Sequence, residues 1–505
     1  MLTFIIFAPL LSAFFLLGTS KENRSGIVFV SVLGSAVAFL LSLFLLMEFD
    51  RHNPEMQFIE DVSWVAVLNI RYLLGIDGIS IWMVLLTTFL SLIAVLHGLK
   101  QKKDLRLFMI LLLALETGTL GVFVALDTIL FYVFWELMLI PTYFLIGLWG
   151  EKDRIYATTK FVIYTLFGSL LMLIAMVALT FIHFEATHHL TFDIRELLRV
   201  HVDSDTQIWM FLCFFLAFAI KVPVFPFHSW LPHAYVTSPI SVLILLTGVM
   251  SKTGAYGLIR FVVPLFPQAM EMMGWFIGGL ASVGMIYGAW VAIAQKDIKA
   301  LVAWSSISHL GFIVLGIFSL TNQGLEGSVL QMVNHGIIAS ALFVIVGILE
   351  EKLGTRFLEN FRGLRGIMPV LYGVFLLVTL AALGLPGLNG FVGEFLILMG
   401  VWTSEAFEGF SGIYVLMGGL AIVFASVYML YFFQGTMHEK NFNASKNLKD
   451  IDGGDLRLLI PACILIIFIG LYPKPFLEKI SNSAQHILNI EKTVGLTKAS
   501  SETHH

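Results

Sequence analysis

Long apolar runs, separated by short polar stretches, extend along almost the whole chain. Most of these runs contain at least about 18 residues, which is enough for an α-helix to cross the roughly 30 Å hydrocarbon core of a bilayer. The pattern therefore predicts an all-α polytopic membrane protein with about fourteen transmembrane helices. The predicted helices cover residues 2–18, 26–48, 78–98, 105–125, 128–149, 159–184, 208–226, 239–263, 271–294, 298–317, 325–349, 367–395, 408–435 and 457–472.

Two of the runs, the seventh and the twelfth, are interrupted by helix-breaking residues. The seventh contains KVPVFPF at residues 221–227, and the twelfth contains GLPGLNGFVGEF at residues 384–395. Broken helices in corresponding positions of two halves are typical of transport sites built from repeats. Because the two breaks stand five runs apart, an odd number, we predict two inverted five-helix repeats. The predicted organisation is three N-terminal helices in residues 1–104, the repeats in 105–263 and 271–435, and a last helix with a tail in 436–505.

The distribution of lysine and arginine predicts the orientation of these helices. With the loops numbered in chain order, the odd loops hold 19 of the 30 Lys and Arg residues. The even loops hold only Arg51, Arg71, Arg195 and Arg199. Because an excess of basic residues marks the cytoplasmic side, we expect the odd loops inside and both termini outside. The tail carries an amphipathic pattern, FLEKISNSAQHILNI, which is typical of a helix that lies on a surface.

Composition and charge narrow the classes of function. Of the 505 residues, 58% are hydrophobic and 13% are charged, whereas about 25% are charged in soluble proteins. A net charge of −4 gives no reason to expect nucleic acid as a partner. Cys213 and Cys463 each lie alone in an apolar run, so we expect no disulfide, zinc site or iron–sulfur cluster. We expect no metal and no cofactor in this chain, and we interpret its first apolar run as a membrane helix, not a cleaved signal.

Seven ionisable side chains fall in the interior of the apolar runs. A charge at that depth costs at least about 2.5–3.5 kcal/mol, so we expect these side chains to face protein, water or one another. The alternation of Glu and Lys predicts pairing, above all between Glu136 and Lys221. A lysine that gains and loses a carboxylate partner can take up and release a proton, whereas an arginine cannot. The seven residues are Glu116, Glu136, Lys221, Lys252, His309, His335 and Glu394.

These residues also have purely structural interpretations. The pair of Glu136 and Lys221 could simply lock two helices together, and His335 could simply hydrogen-bond neighbouring helices. Glu116 could cap a polar pocket. The prolines of residues 221–227, however, free backbone groups and open a polar gap beside Lys221. The pattern as a whole indicates a hydrophilic axis through a helical membrane protein.

Five motifs in order along the chain form a specific set: FWELMLIPTYFLIGLWG, FAIKVPVFPFHSWLP, SKTGAYGLIRF, AQKDIKALVAWSSISHLGF and GLPGLNGFVGEF. With them, the chain resembles the antiporter-like subunits of respiratory complex I, in particular the M-type branch of bacterial NADH–quinone oxidoreductase. The resemblance implies a multi-pass protein of the bacterial inner membrane that translocates protons, driven by electron transfer in partner subunits. Its implied partners are the other membrane subunits of complex I, including neighbouring antiporter-like subunits, and the lipid bilayer.

The resemblance also implies a role in proton transfer for each buried residue. Glu136 matches a glutamate that pairs with a central lysine, and Lys221 matches that lysine. Lys252 matches a lysine that relays protons laterally. His309 matches a polar residue on the tenth helix, His335 matches a histidine of the central axis, and Glu394 matches the glutamate that leads protons outward.

One loop departs from the family pattern. In HSWLPHAYVTSP, residues 228–239, His233 stands where the family usually has Asp, and Tyr235 stands where it has His. Thr237 replaces an acidic residue. A histidine titrates near neutral pH and can collect protons from the cytoplasm. We therefore expect proton entry at His233, with His228 as the second candidate.

Three alternatives remain open on the sequence alone. A subunit of a cation/proton antiporter complex or of a membrane-bound hydrogenase belongs to the same structural class. A stand-alone solute carrier would need alternating access and a substrate pocket, for which no long gating loops or pocket-lining cluster argue. An inert structural spacer is disfavoured by the buried charges.

Overall fold

The predicted apolar runs are helices in a computed structural model that describes residues 1–361, 363–438 and 448–502. In this part of the chain, twelve helices are long and apolar enough to cross a membrane, and three shorter apolar helices accompany them. Helices satisfy their backbone hydrogen bonds internally, which is why a lipid-embedded chain adopts them. The prediction of an all-helical polytopic membrane protein is confirmed.

Most helix bounds lie close to the ends of the predicted runs, but the helix in the twelfth run continues to Trp402 instead of ending at residue 395, and the fifth run is divided at Met138. In chain order the helices are α1 Leu2–Gly18, α2 Arg24–Glu48, α3 Ser80–Gly98, α4 Leu105–Val124, α5 Thr128–Leu137, α6 Leu139–Trp149, α7 Arg154–Thr187, α8 Ile194–Leu197, α9 Ser204–Lys221, α10 Trp230–Thr237, α11 Ile240–Leu245, α12 Ser251–Gly257, α13 Val263–Leu265, α14 Pro267–Ile293, α15 Ile298–Phe318, α16 Asn322–Leu353, α17 Pro369–Ala382, α18 Asn389–Trp402, α19 Ser411–Met437, α20 Gly453–Leu471 and α21 Lys474–Glu502.

A β-hairpin between α2 and α3 adds to the predicted all-α architecture. Strand β1, Gln57–Val65, pairs antiparallel with β2, Ile70–Ile76, and Asn69 between them adopts a left-handed backbone conformation. An isolated two-stranded hairpin is marginally stable in water. Here β2 is largely buried against the helices, and Glu60 of β1 accepts hydrogen bonds from the N-terminal ammonium group and Thr3. Packing on the helical body therefore stabilises the hairpin.

In both interrupted runs the helix ends at or shortly before a segment that contains proline. Helix α9 ends at Lys221 and α10 begins at Trp230, so the segment with the two prolines lies between helices. Helix α17 ends at Ala382 and α18 begins at Asn389. Between them Gly384 and Gly387 have φ values of 75° and 93°, which favour glycine. The backbone is therefore non-helical between Lys221 and Trp230 and between Ala382 and Asn389, while the position of these breaks in the membrane and the inverted relation of the two halves stay predictions.

The segment Ile240–Leu265 is the most deeply buried candidate span of the described chain. Its α-helical turns are interrupted by two π-helical turns, Leu246–Met250 and Leu258–Val262. Such π turns are rare and often occur at functional sites. Lys252 lies between the two, in α12. The irregular backbone thus brackets one of the predicted buried cations.

The amphipathic tail forms the helix α21, which packs on the same side of the protein as the hairpin. Gly78 donates a backbone hydrogen bond to Ser483 Oγ at 2.9 Å. A Cβ atom on Gly78 would lie 1.8 Å from the carbonyl oxygen of Lys479, so only glycine fits there. The tail is therefore anchored to the start of α3.

Candidate functional site

A fully buried lysine lies at the centre of the site. Lys252 has no exposed surface, and its ammonium group lies 2.7 Å from Nδ1 of His335 and 3.3 Å from Oγ of Ser251. It also donates to the carbonyl oxygen of Thr247, in the first π turn. Lys252 and His335 are 83 residues apart in the sequence and come from α12 and α16. The fold therefore places a proton donor in direct contact with an imidazole in the protein interior.

His335 leads to a second imidazole, that of His309 on α15. The ring centroids of the two histidines are 5.8 Å apart. Nδ1 of His309 lies 2.9 Å from Oε1 of Glu394 on α18, and Nε2 lies 3.2 Å from the hydroxyl of Tyr428 on α19. Lys252, His335, His309 and Glu394 thus form a continuous series of neighbouring ionisable groups, which we call the lysine–histidine–glutamate axis.

Buried amides support the glutamate end of this axis. Gln331 Nε2 donates to Oε1 of Glu394 at 3.3 Å. Asn334 Nδ2 donates to the backbone carbonyl of Asn389 at 2.8 Å, where α18 begins after the break. Both side-chain polar atoms of Asn389 lack a hydrogen-bond partner among the described residues. The start of α18 therefore carries buried polar atoms that are unpaired in the described chain, on the same helix as Glu394.

The first half of the protein holds Lys221 in an aromatic setting. Its side chain is buried, and the ammonium nitrogen lies 5.1 Å from the ring centroid of Trp135 and 5.7 Å from that of Phe161. Such cation–π contacts stabilise a desolvated ammonium ion. Glu136 follows Trp135, but its carboxylate forms no ion pair with Lys221, and Oε1 of Glu136 is buried without a hydrogen bond from the described residues. The two predicted partners are neighbours through Trp135, and their functional pairing stays a prediction.

Glu116 lies apart from the axis, on α4. Its side chain is buried, and Oε1 accepts a hydrogen bond from Ser35 Oγ at 3.3 Å. Oε2 has no partner in the described chain. The contact with Ser35 joins α4 to α2, which fits either a helix–helix contact or a polar pocket.

The two candidate entry histidines have different environments. His233 on α10 is exposed, and its Nδ1 lies 3.0 Å from the carbonyl oxygen of Ser229. His228 is buried among the rings of Phe225, Tyr287 and Trp304, with centroid distances of 5.3–5.6 Å. His233 is therefore a surface residue, whereas His228 lies between the broken segment and the second half.

An ionic cluster on the basic side was not predicted from the sequence. Lys299, whose side chain is 1% exposed, lies 2.5 Å from Oε1 of Glu151. Arg356 pairs with the other oxygen of Glu151 and, at 2.6 Å, with Oδ2 of Asp297. The cluster joins the loop after α6 to the start of α15 and the loop after α16. The sequence offered one signal for this cluster, namely Lys299 two residues after the helix-capping Asp297. Charged residues near loops are usually solvated, so this signal did not indicate burial.

A second buried ion pair also escaped prediction, although Arg260 lies inside an apolar run. Arg260 Nη2 lies 2.7 Å from Oδ2 of Asp77, and their side chains are 7% and 3% exposed. Burial of the Asp77 carboxylate raises its pKa, but the charge of Arg260 and hydrogen bonds from Ser80 outweigh this effect and hold the pKa below its ordinary value. Arg260 Nε also donates to the hydroxyl of Tyr256 at 3.2 Å. The second π turn is therefore tied to the residue that follows the hairpin.

The chemistry of the site is that of proton exchange. Within residues 1–361, 363–438 and 448–502, no group of three or more His, Cys, Asp or Glu side chains is arranged to hold a metal ion. Lysine, imidazole and carboxylate can each gain and lose a proton, and neutral imidazole can accept at one nitrogen while it donates from the other. A buried series of such groups can conduct protons between two polar ends.

Comparison with known proteins defines the family. Residues 125–416 match the family described as NADH:quinone oxidoreductase/Mrp antiporter, TM. This region covers more than half of the chain, and the chain therefore belongs to that family of membrane proteins.

Curated relatives specify the branch. NADH-quinone oxidoreductase subunit M of Pseudomonas aeruginosa is 38% identical over 502 residues, which cover 96% of each chain. The subunit M of Rhodobacter capsulatus is 37% identical over 503 residues, 97% of this chain and 96% of the relative. The subunit M of Rickettsia conorii is 36% identical over 492 residues, 96% of this chain and 97% of the relative. The resemblance to M-type subunits of complex I is confirmed.

Solved structures show the same fold. A chain of respiratory complex I from Thermus thermophilus with bound NADH superposes with a TM-score of 0.87 and 30% identity, covering 97% of this chain and all of that chain. A chain of the Mrp complex from Dietzia sp. gives a TM-score of 0.85 at 19% identity and covers 98% of both chains. At that identity the likeness to the Mrp complex concerns the fold alone.

Proposed function

We propose that this chain is the M-type proton-translocating membrane subunit of a bacterial NADH:quinone oxidoreductase. The observation that carries the proposal is the lysine–histidine–glutamate axis, which is buried along its whole length. Burying several ionisable side chains in a membrane protein is costly, and such side chains mark proton relays and ion pathways. Relatives of nearly equal length, named subunit M of this enzyme, support the assignment to complex I.

The geometry supports a sequence of proton transfers. The ammonium group of Lys252 donates to Nδ1 of His335 across 2.7 Å, which is a short enough separation for direct transfer. The centroids of the two imidazole rings are 5.8 Å apart, so transfer between them needs a rotation of a ring or a bridging water molecule. His309 is the next group in the series, and its Nδ1 lies 2.9 Å from Oε1 of Glu394.

In the proposed mechanism, electron transfer takes place in partner subunits, and this chain needs no redox group of its own. A change of charge in a neighbouring subunit alters the balance between Glu136 and Lys221, and Lys221 passes its proton toward Lys252. Trp135 and Phe161 contact the ammonium group of Lys221, and among the described residues no carboxylate lies within ion-pair distance of it. The same six residues are therefore assigned the proton-transfer role: Glu136, Lys221, Lys252, His309, His335 and Glu394.

The sidedness follows from the basic loops. Glu151, Lys299 and Arg356 lie on the lysine- and arginine-rich side, and Glu151 donates a backbone hydrogen bond to the carbonyl of Thr237 at the end of α10. His233 lies on the same short helix, four residues before Thr237. We assign this side to the cytoplasm, proton entry to His233 or His228, and both termini and the hairpin to the periplasm.

The test is the composition of the complex that co-purifies with the chain, followed by a pumping assay. We expect NADH- and quinone-binding subunits, and NADH-driven acidification of vesicles that a protonophore abolishes. Co-purification with cation/proton antiporter or hydrogenase subunits, without an NADH-oxidising partner, would replace the proposal by that alternative. A stable single chain with a bound solute would point to a solute carrier.

A further inference from the structure

An apolar cleft opens on the membrane face of the protein, away from the lysine–histidine–glutamate axis. It has a volume of about 310 Å³ and is lined entirely by apolar surface. The walls come from α2, α3, α16, α20 and the start of α21, through residues that include Phe39, Leu43, Trp82, Ile337, Leu465 and Phe476. An apolar cavity of about 150 Å³ stays dry and takes up benzene. The cleft is about twice that size and can take a longer hydrocarbon.

The cleft opens to the outside of the helical body between apolar side chains. Phe39 and Leu43 are only half-buried, and Ile464 on the opposite wall is 59% exposed, so the opening lies between α2 and α20. At the hairpin side the indole of Trp82 stacks on the ring of Phe476, with centroids 4.2 Å apart, and closes the end of the cleft. The medium that can enter from this face is the hydrocarbon of the surrounding lipid.

The rim on the hairpin side carries charges of both signs. Glu478 pairs with Arg51 at 2.5 Å and with Lys474 at 3.6 Å, and the ammonium of Lys479 lies 5.6 Å from the ring centroid of Phe49. The side chains of Arg51 and Lys474 are 50% and 68% exposed. Basic residues are otherwise scarce in the loops on this side. A phosphate next to the cations and an ammonium group next to Glu478 would match this rim.

We propose that the cleft holds one acyl chain of a phosphatidylethanolamine molecule from the leaflet on the hairpin side. The acyl chain occupies the space between Leu43 and Leu465, and the head group lies at the rim formed by Lys474, Glu478 and Lys479. Val333 and Ile337 of α16 line the cleft on either side of His335 in the sequence. The bound lipid therefore packs against the helix that carries the middle of the axis.

The experiment uses the purified complex reconstituted with phosphatidylethanolamine that carries a diazirine on one acyl chain. After illumination, labelled peptides are mapped by mass spectrometry. We expect preferential labelling of peptides that contain Phe39–Leu43 and Ile464–Ile469. Leu43→Trp, which fills the cleft, should reduce this labelling at least fivefold. Leu170→Trp, at a position on α7 that is 48% exposed, should leave it unchanged.

Three results would overturn the proposal. One is labelling of the cleft no stronger than labelling of other membrane-facing helices. Another is cleft labelling that stays unchanged in Leu43→Trp or in Leu465→Phe. The second variant is a smaller change and guards against misfolding of the first. The third is displacement of the label by excess isoprenoid quinone but not by unlabelled phosphatidylethanolamine, which would make the cleft a quinone site. Lys474→Glu should weaken labelling severalfold if the head group is recognised, and unchanged labelling would remove the head group from the proposal.

Discussion

Replacing Lys252 by arginine tests whether the axis needs a proton that can leave. Arginine keeps the positive charge next to His335, but its ordinary pKa is about 2–3 units above that of lysine. At a given pH the neutral form is therefore roughly 10²–10³ times rarer, and transfer from residue 252 to His335 slows by a similar factor. We expect the proton-to-electron ratio of Lys252→Arg to fall nearly as far as that of Lys252→Met.

The contacts of Lys252 also predict that Lys252→Met assembles. In Lys252→Met, the carbonyl of Thr247 and Nδ1 of His335 lose a hydrogen-bond donor, at about 1–3 kcal/mol each. The variant also avoids the desolvation cost of a buried ammonium ion, which is several kcal/mol and offsets this loss. The melting temperature of the complex should therefore change little while pumping falls.

The assay is NADH-driven proton uptake in reconstituted vesicles, with electron flow measured in the same sample. Lys296→Arg, at a side chain that is 77% exposed, is the matched control and should pump normally. A Lys252→Arg complex with a normal proton-to-electron ratio would show that charge alone suffices at this position. The relay role of Lys252 would then be wrong.

Three further predictions concern residues outside that contact. Glu136→Gln should assemble normally and lower the proton-to-electron ratio, and a normal ratio would make Glu136 a structural residue. Glu151→Gln leaves the buried Lys299 without its carboxylate and should cost about 1–3 kcal/mol, less than a fully buried pair because Glu151 is 37% exposed. The melting temperature of the complex should fall for Glu151→Gln but not for Glu359→Gln, whose side chain is 61% exposed. His233→Ala should slow proton uptake most at alkaline pH, and His233→Asp should restore it, whereas identical pH profiles would exclude His233 as the entry residue.

The helices were predictable because the bilayer imposes long apolar runs on the sequence. The break after Lys221 and the break before Asn389 were also predictable from the sequence, since proline and glycine interrupt otherwise continuous hydrophobic segments. The hairpin was not predicted, because its strand β1 is partly exposed and its stability depends on contacts with helices distant in sequence. A local pattern cannot show such packing.

The members of the axis were predictable, but their contacts were not. Lys252, His335 and Glu394 were identified because a charge inside an apolar run is unusual. Their partners lie 83 and 85 residues away, on helices whose rotation and depth are set by packing. The sequence suggested Glu136 as the partner of Lys221, while the structure places Trp135 against that ammonium ion. The cluster around Lys299 was missed, because nothing in a loop sequence distinguishes a buried charge from a solvated one.

The most direct test of the account is the proton-to-electron ratio of a complex that carries His335→Phe, measured in sealed vesicles during NADH oxidation. His335 is the link between Lys252 and His309, and phenylalanine keeps a ring there without a group that can carry a proton. We expect a complex that assembles and translocates fewer protons per electron, while His189→Phe, at a side chain that is 61% exposed, pumps normally. An assembled His335→Phe complex with the normal ratio would contradict proton transfer along the lysine–histidine–glutamate axis.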